Sequence, residues 1–269
     1  MANDILDRIV AARKEEVAAA ERALPLARLR AAAEARADRR PFAAALERPG
    51  PAGVNVIAEI KRASPSKGLI RGDLDPAALA RAYAAGGAAA LSVLTEGRFF
   101  RGSADDLRRA RAACALPVLR KDFLFCDYQL YESAAMGADA VLLIVRILDR
   151  AQLSGLIATA AALGLAALVE VYTAAEAEAA ARAGARLVGI NNRDLSSFHT
   201  DLGRTLAVLP ALAPGQTAVA ASGIRDRADI LRYRGTPVFN FLVGESLVRS
   251  ENPADFLKWL RGETDHAGS

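Results

Sequence analysis

Histidine and cysteine are scarce in this sequence, which has two of each among its 269 residues. Cys114 and Cys126 are too few to build a disulfide framework, and neither His199 nor His266 lies near a cluster of cysteines. Zinc sites need three or four such ligands at characteristic spacings. The sequence therefore predicts no metal site, and its few cysteines favour a reducing compartment.

Long apolar runs are also lacking. The least charged stretch, residues 153–169, is rich in alanine and is interrupted by Ser154, Gly155, Thr159 and Gly164. It predicts a buried helix, a glycine turn and a buried strand rather than a membrane span. The first ten residues carry charges throughout and have no apolar centre, unlike a secretory signal peptide. We therefore expect a cytoplasmic protein with no membrane partner.

A concentrated basic surface is the third absence. The net charge of +4 and the isoelectric point near 9.3 suit an anionic ligand. The arginines, however, are spread along the chain and form no single stripe with interleaved aromatic residues. Such a stripe is the usual sign of a nucleic-acid interface, so we expect no nucleic-acid partner. With 52% apolar and 25% charged residues, the composition is that of an ordinary globular protein.

What the sequence does contain, from residue 54 onward, is a regular alternation of two kinds of segment. Short apolar runs predict eight strands, at residues 54–61, 89–95, 117–121, 140–145, 166–171, 187–191, 218–221 and 239–243. Segments with helical character predict a helix after each strand, at residues 76–85, 104–113, 128–135, 151–163, 174–183, 202–209, 228–233 and 253–260. Eight such units predict a single (β/α)8 TIM barrel, with a doubly wound open sheet as the alternative.

The N-terminal part has a different pattern. Apolar residues recur at helical spacing from Ile5 to Val17, and alanine-rich charged sequence continues the helical prediction to Arg40. Pro41 is predicted to begin a further short helix. We expect residues 1–47 to form a helical extension packed on the barrel, and residues 48–269 to form the barrel itself.

The end of the first predicted strand carries two opposite charges on one face. Glu59 and Lys61 are two positions apart and therefore point the same way, whereas Ile60 between them points the other way. Burying charges is costly unless they are paired. Taken alone, the two residues are as well explained by a salt bridge at a strand end as by a functional site.

Barrel enzymes place their active sites at the C-terminal ends of the strands. There, the parity that points Leu119 and Leu168 into the barrel aims Lys121 and Glu170 at its mouth. Each charge alone suits a structural role, but two lysines and two carboxylates converging at one end are difficult to explain by packing. Such a cluster can hold one group as a proton donor and another as a proton acceptor.

The last two predicted strands end in small residues, which are Ser222 and Gly223, and then Gly244, Glu245 and Ser246. Small residues let backbone N–H groups approach an anion, and phosphate groups commonly bind at these two strand ends in barrels. The pair of turns predicts a phosphate site, although either turn alone could be ordinary.

Two further features near the predicted mouth suit a ligand. The turn-rich loop of residues 64–68 has hydroxyl groups and a lysine, which suits a loop placed over a phosphorylated molecule. Phe99, Phe100 and Phe123 either form an apolar wall for an aromatic ligand or pack within loops.

Taken together, these motifs resemble the indole-3-glycerol-phosphate synthase family. The matching segments are residues 57–68, 94–103, 117–123, 128–145, 168–173, 189–195, 221–224 and 241–247, and residues 5–17 resemble the additional N-terminal helix of that family. The likeness covers nearly the whole chain. It implies one (β/α)8 barrel with an N-terminal extension and no metal or organic cofactor.

The resemblance also implies a reaction and roles for the residues. The family closes the indole ring of 1-(2-carboxyphenylamino)-1-deoxyribulose 5-phosphate, a small phosphorylated substrate, with loss of carbon dioxide and water. Lys121 resembles the general acid, Glu170 resembles a base or proton partner in dehydration, and Glu59 and Lys61 resemble a pair that orients the substrate and assists proton transfer. The division of labour between the two lysines stays open. The residues that resemble substrate-binding positions are Ser64, Phe100, Phe123, Asn191, Arg193, Ser222, Gly223, Gly244 and Glu245. We expect a monomer or a weak homodimer.

The sequence departs from the family pattern at two places. Ala221 stands where the family usually has a glutamate, and residues 234–240 differ from the family's usual sequence before the last strand.

Two alternative functions fit the sequence less well. A barrel such as phosphoribosylanthranilate isomerase would need a Cys/Asp acid–base pair, whereas Glu59 and Lys61 occupy the first strand end. A non-catalytic anion-binding barrel would have no need of Lys121 and Glu170.

Overall fold

The computed structural model describes residues 5–194 and 196–265 and shows a closed barrel of eight parallel strands. The expectations that concern His266 and the first four residues lie outside this range. The strands are β1 (Asn55–Ile60), β2 (Ala90–Leu94), β3 (Val118–Lys121), β4 (Ala140–Ile144), β5 (Ala166–Val171), β6 (Leu187–Asn191), β7 (Thr217–Ala221) and β8 (Asn240–Val243). Because β1 pairs with both β2 and β8, the cylinder is closed. The predicted TIM barrel is confirmed, and each strand lies within one residue of its predicted bounds.

Helices surround the barrel in the predicted order. They are α1 (Ile5–Ala23), α2 (Leu26–Glu34), α3 (Pro76–Ala85), α4 (Ala104–Ala113), α5 (Asp127–Met136), α6 (Arg150–Ala162), α7 (Ala174–Arg182), α8 (Gly203–Val208), α9 (Arg227–Leu231), α10 (Glu245–Arg249) and α11 (Pro253–Arg261). Short 3₁₀ turns lie at Ala44–Leu46, Val145–Ile147 and Leu209–Ala211. The sequence did not predict α10, because the small residues after β8 indicate only a phosphate-binding turn.

The alternation of side chains along the strands separates two cores. Ile57, Leu119 and Leu168 pack inside the barrel, whereas Val118 and Val169 face the surrounding helices. Residues two positions further along a strand continue on the same side. The inward face of β1, β3 and β5 therefore runs from an apolar interior into charged residues at the C-terminal ends of the strands.

The N-terminal extension differs from its prediction. The helix does not continue to Arg40, because α1 ends before Pro25, α2 ends at Glu34, and the chain then has no regular secondary structure until Ala44–Leu46. The short helix predicted to begin at Pro41 is this single 3₁₀ turn. Proline lacks a backbone N–H and disfavours a helical conformation in the residue before it, so Pro25 explains the break between α1 and α2.

Arginines of the irregular segment bind the barrel instead of continuing a helix. Arg39 donates from Nε to the carbonyl of Leu163 at 2.7 Å. Arg40 donates to the carbonyls of Cys114 and Leu116 at 2.8 and 2.7 Å. These bonds satisfy carbonyl groups in the loops at the N-terminal end of the barrel, away from the predicted site.

One carboxylate, that of Asp139 just before β4, joins the extension to the barrel. Its Oδ1 accepts hydrogen bonds from the guanidinium of Arg36 at 2.7 Å and the backbone N–H of Arg40 at 2.9 Å. Its Oδ2 accepts from Arg111 at 2.5 Å and from the backbone N–H of Val118 at 3.0 Å. The side chain of Asp139 is fully buried, and the two arginines that it compensates share only one further carboxylate, the exposed Asp38.

We expect Asp139→Asn to lower the free energy of unfolding by about 3–5 kcal/mol, because it leaves two buried guanidinium groups with only the exposed carboxylate of Asp38 as a partner. Urea denaturation followed by circular dichroism measures this change. Glu178→Gln is the matched control, because its pair with Arg182 is solvent-exposed and should contribute about 0.5 kcal/mol or less. Equal effects of the two substitutions would contradict the anchoring role of Asp139.

Candidate active site

A cavity of about 630 Å³ opens at the C-terminal ends of the strands. This volume is within the range of small-molecule sites. All thirteen residues that the sequence suggested for a site line it, namely Glu59, Lys61, Ser64, Phe100, Lys121, Phe123, Glu170, Asn191, Arg193, Ser222, Gly223, Gly244 and Glu245. The closed barrel thus gathers residues that are up to 186 positions apart in the chain.

The Glu59 carboxylate is the most buried charge of this group, with 3% of the residue exposed. The ammonium of Lys61 lies 2.5 Å from its Oε1. Burial alone would raise the pKa of Glu59, but the charges of Lys61 and Lys121 outweigh burial and hold this pKa below its usual range. Glu59 is therefore ionised at neutral pH, and its charge is compensated by cations of the same cavity.

Gly244, which follows β8, packs directly against this carboxylate. A Cβ atom added at Gly244 would lie 2.3 Å from Oε1 of Glu59 and 3.0 Å from its Cδ. Any side chain at this position would displace the carboxylate or the turn. Gly244 matches a phosphate-binding turn in the sequence, and the structure adds a steric reason for a glycine at this position.

Lys121 ends β3 and differs from Lys61 in its surroundings. Its side chain is half-buried and lines the cavity. Within residues 5–194 and 196–265, its ammonium makes no hydrogen bond and has no carboxylate within ion-pair distance, although its charge contributes to the low pKa of Glu59. Lys121 is therefore the lysine of the pair whose three N–H donors are available to a ligand.

On the other side of the cavity, Glu170 on β5 is held by its neighbour on β6. The amide of Asn191 donates to Oε1 of Glu170 at 3.1 Å, and the backbone N–H of Arg193 donates to Oδ1 of Asn191 at 3.0 Å. The bond fixes the carboxylate in the cavity wall and leaves it acceptor capacity. Glu170 is buried, with 5% exposed.

The loop after β1 is more ordered than its turn-rich sequence suggests. Ala63–Ser64 and Gly68–Leu69 pair as a two-stranded antiparallel hairpin. Ser66 at its turn accepts a hydrogen bond from the guanidinium of Arg193 at 3.0 Å, while Ser64 is buried in the first strand of the hairpin. The sequence singled out Ser64, and the structure adds Ser66 as the contact that ties this hairpin to the loop after β6.

The two predicted phosphate turns lie side by side at the mouth. Ser222 and Gly223 both have left-handed backbone conformations, with φ of 68° and 86°, which is uncommon for a serine. Ser246 donates from its hydroxyl to the carbonyl of Ile224 at 3.1 Å and so joins the turns. The side-chain amide of Asn192 donates to the carbonyl of Ser222 at 3.1 Å and holds the first of the two turns in place.

Aromatic residues form an apolar part of the wall. The rings of Phe100 and Phe123 are tilted, with centroids 5.9 Å apart. Phe99 is absent from the lining and packs beside the inner core. The buried carboxylate of Glu96 holds this loop by accepting hydrogen bonds from three consecutive backbone N–H groups, those of Arg98, Phe99 and Phe100, at 2.8–2.9 Å.

The first helix also contributes to the cavity, which the sequence did not indicate. Ile5, Leu6 and Ile9 of α1 line it, and Leu6 and Ile9 belong to the same apolar cluster as Phe123. The helical spacing of these residues predicted an apolar face, but nothing in that spacing shows which part of the barrel the face covers. Asp122, between Lys121 and Phe123, was missed in the same way.

The cavity favours anions. Seven lysines and arginines but only five aspartates and glutamates line it. Across the described parts of the chain, no three His, Cys, Asp or Glu side chains are grouped so that they could hold a metal ion. None of the helices in those parts is long and apolar enough to cross a membrane.

Ala221 is the departure that bears most directly on the cavity. It is buried and lines the wall beside Ser222, where the resemblance leads one to expect a glutamate. A methyl group therefore occupies this position, and the carboxylates of the inner wall are Glu59, Asp122 and Glu170.

Comparison with known proteins gives a consistent result. The model of the indole-3-glycerol phosphate synthase family matches residues 6–260. The indole-3-glycerol phosphate synthase of Desulfosudis oleivorans is 54% identical over 258 residues, which cover 96% of this chain and 98% of the relative. That of Laribacter hongkongensis is 53% identical over 260 residues, with 96% and 99% covered.

Solved structures with a similar fold are much more distant in sequence. The 3-hexulose-6-phosphate synthase of Salmonella typhimurium superposes with a TM-score of 0.59 at 13% identity, covering 77% of this chain and 96% of that one. Thiamine phosphate pyrophosphorylase from Pyrococcus furiosus gives 0.57 at 16% identity, with 77% and 94% covered. At such low identity the likeness shows the barrel fold alone.

The depressed pKa of Glu59 predicts how stability responds to acid. In the unfolded chain a glutamate titrates near ~4.3, so on acidification the unfolded state takes up its proton before the folded state does. The stability that Glu59 contributes is therefore complete above that value and is lost as pH falls through the lower pKa of the folded state. We expect the melting temperature of Glu59→Gln to depend less steeply on pH below about 4 than that of the wild type.

Scanning calorimetry at a series of pH values measures this dependence. The matched control is Glu178→Gln, whose exposed carboxylate should leave the wild-type slope intact. Parallel curves for Glu59→Gln and the wild type would show that Glu59 titrates normally in the folded protein.

Proposed function

The chain belongs to the indole-3-glycerol phosphate synthase family, and from that premise we propose which side chains of the cavity carry out the reaction. The enzyme converts 1-(2-carboxyphenylamino)-1-deoxyribulose 5-phosphate to indole-3-glycerol phosphate in tryptophan biosynthesis. The observation that carries the residue assignment is the convergence of Lys121, the Glu59–Lys61 pair and Glu170 around one cavity, beside two turns suited to phosphate.

The reaction sets the chemical requirements. A carbon–carbon bond forms between the ring carbon that bears the carboxylate and the ketone carbon of the ribulose chain, and the ketone oxygen takes up a proton. The carboxylate leaves as carbon dioxide, and its bonding electrons restore the aromatic ring. The new hydroxyl then leaves as water while the adjacent carbon loses a proton, which forms the indole double bond. The site must therefore supply a proton donor at the oxygen and a base near the carbon.

Lys121 is the proposed general acid at the ketone oxygen. An aromatic carbon is a weak nucleophile, so the ketone must be made strongly electrophilic by hydrogen bonding and proton transfer. The free ammonium of Lys121 suits this role. Lys61, by contrast, is engaged at 2.5 Å with Glu59, which favours a role for that pair in orienting the substrate and assisting proton transfer.

Glu170 is the proposed base for dehydration. Its carboxylate lines the cavity and is oriented by Asn191 at 3.1 Å. Positioning of this kind is needed because a general base must be within hydrogen-bond reach of the proton that it removes. Arg193 links the same wall to the hairpin after β1 through Ser66, so we infer that these residues orient the substrate below that hairpin.

The two ends of the substrate have separate proposed sites. The turns at Ser222–Gly223 and Gly244–Glu245 would bind the phosphate through backbone N–H groups. Phe100 and Phe123 would contact the anthranilate ring, with Ser64 in the hairpin above. Binding of the phosphate, which is remote from the reacting carbons, and contacts with the ring contribute to catalysis by fixing the geometry of those carbons.

The rival functions raised by the sequence have less support. Neither cysteine lines the cavity, so the Cys/Asp pair expected of an isomerase has no counterpart there. A non-catalytic anion-binding barrel would need only the two turns, and it would leave the Glu59–Lys61 pair and Glu170 without a use. Because position 221 carries an alanine and not the glutamate that is usual in the family, the proposed chemistry uses the carboxylates of Glu59 and Glu170.

We further propose a cytoplasmic monomer or weak homodimer that requires no metal or organic cofactor and binds neither nucleic acid nor membrane. Both cysteines are free, which agrees with a reducing compartment. The division into an extension at residues 1–47 and a barrel at residues 48–269 also stays a prediction. Light scattering coupled to size exclusion tests the oligomeric state, and turnover in the presence of a chelator tests metal independence.

We expect Lys121→Ala and Glu170→Gln each to lower kcat by about 10²–10⁴-fold, because each would remove a proton-transfer group. The rise of indole fluorescence after mixing with the carboxyphenylamino-deoxyribulose phosphate measures turnover. Lys258→Ala is a matched control, because Lys258 is on α11 and does not line the cavity. Turnover at the wild-type rate in either active-site variant would reject the role assigned to that residue.

Gly244→Ala tests the close contact with Glu59. We expect a fall in kcat of about 10–100-fold, because displacement of a catalytic group by about 1 Å has effects of this size. Gly155→Ala is the control, because this exposed glycine of α6 has open space around its Cβ position and should gain up to ~1 kcal/mol of stability with unchanged turnover. Full activity of Gly244→Ala would show that the turn yields without moving Glu59.

A further inference from the structure

Arg13 is a buried cation that the proposed chemistry does not use. It lies in the middle of α1, one helical turn after Ile9, and only 9% of the residue is exposed. Its guanidinium donates to Oδ2 of Asp122 at 3.1 Å and also contacts Glu16 in the same helix. Among the ion pairs in the described parts of the chain, Arg13–Asp122 is the one that joins α1 to the barrel.

The partner of Arg13 lies next to two residues of the proposed site. Asp122 lies between Lys121 and Phe123, is almost completely buried, and lines the cavity. Its Oδ1 accepts the backbone N–H of Phe123 at 2.8 Å. Arg13 therefore binds the carboxylate of the residue that directly follows Lys121, the proposed acid. The same carboxylate accepts a hydrogen bond from Phe123 of the aromatic wall.

Asp122 does not need Arg13 for its own place in the barrel. Its Oδ2 also accepts from the hydroxyl of Thr95 at 2.6 Å and from Arg120 at 3.1 Å. Arg120 is in turn fixed by Glu132 at 2.7 Å. Loss of Arg13 would leave these bonds in place, so its main effect should fall on α1 and not on β3.

The two halves of α1 are held differently. Near its C-terminal end, Val17 packs with Leu29 and Tyr128, and the Tyr128 hydroxyl donates to the carbonyl of Leu24 at 3.1 Å. The N-terminal half carries the apolar residues that line the cavity. Arg13 is the polar attachment between these two parts.

We propose that Arg13 is a positioning residue: its ion pair with Asp122 holds the first half of α1 against the loop after β3, so that Leu6, Ile9 and Phe123 form one apolar wall for the aromatic end of the substrate. The inference rests on the proposed function for the identity of that substrate. It deepens that function by assigning a positioning role to Arg13, a residue outside the barrel.

The apolar contacts of the wall with the ring are made in the bound substrate as well as in the transition state, so the wall should contribute to binding more than to the chemical step. Arg13→Met removes the charge and keeps much of the apolar length of the side chain. We expect it to raise KM by about tenfold, a typical effect of altered apolar contacts, and to change kcat by less than about threefold. Arg13→Lys retains one cation for Asp122 and should return KM to within about threefold of the wild-type value.

Lys14→Met is the matched control. Lys14 is the next residue of the same helix, is exposed, and carries the same charge. It should leave both kinetic constants unchanged, which separates the ion pair from a general effect of net charge on an anionic substrate. Arg13→Gln, with an unchanged helix propensity, replaces Arg13→Met if that variant folds poorly.

Hydrogen–deuterium exchange on the full-length chain supplies a readout that is independent of activity. Backbone amides between residues 5 and 13 should exchange faster in Arg13→Met than in the wild type, with no change in Lys14→Met. An unchanged KM in Arg13→Met, or an equal rise of KM in Lys14→Met, would overturn the inference. A wild-type protein that fails to convert the substrate would instead overturn the proposed function, so the two failures are distinguishable.

Discussion

The compensation of one buried carboxylate, that of Glu59, constrains the whole mouth of the barrel. Burying an isolated ionised carboxylate is strongly unfavourable, so the fold must bring cations to it. Lys61 comes from the same strand end, Lys121 from β3 and Arg193 from the loop after β6, and all three charges stabilise the ionised form. Gly244 completes the enclosure from β8 by leaving room for the carboxylate. A closed barrel satisfies these demands because its strand ends converge from every side.

The N-terminal extension connects the two ends of the barrel. Its irregular segment is bound below the strands, where Asp139 takes up Arg36 and the backbone of Arg40. Its first helix lies at the other end, where Leu6 and Ile9 join the apolar cluster of Phe123. The same forty residues therefore contribute to stability at one end and to the cavity at the other. This division agrees with the general pattern of barrels, in which the end away from the active site serves stability.

The sequence predicted the barrel well because strand and helix signals in this chain are local. β-branched apolar runs and glycine turns located each strand to within one residue, and the period of two correctly aimed Glu59, Lys121 and Glu170 into one cavity. The same reasoning failed for residues 35–40, where alanine and arginine favour helix but bonds to barrel carbonyls prevail. It also missed Asp122 and the place on the barrel at which α1 packs, because such contacts between distant segments leave no periodic trace in the sequence.

The closure of β1 by β8 has a consequence for synthesis on the ribosome. Asn55 at the start of β1 bonds to Asn240 at the start of β8, which is 185 positions later in the chain. Until β8 and Gly244 emerge, β1 has no partner on one edge, and Glu59 has no Gly244 to pack against. Contacts with such large separations form late. The nascent chain can therefore acquire most of its helices and still lack an assembled site until β8 has been synthesised.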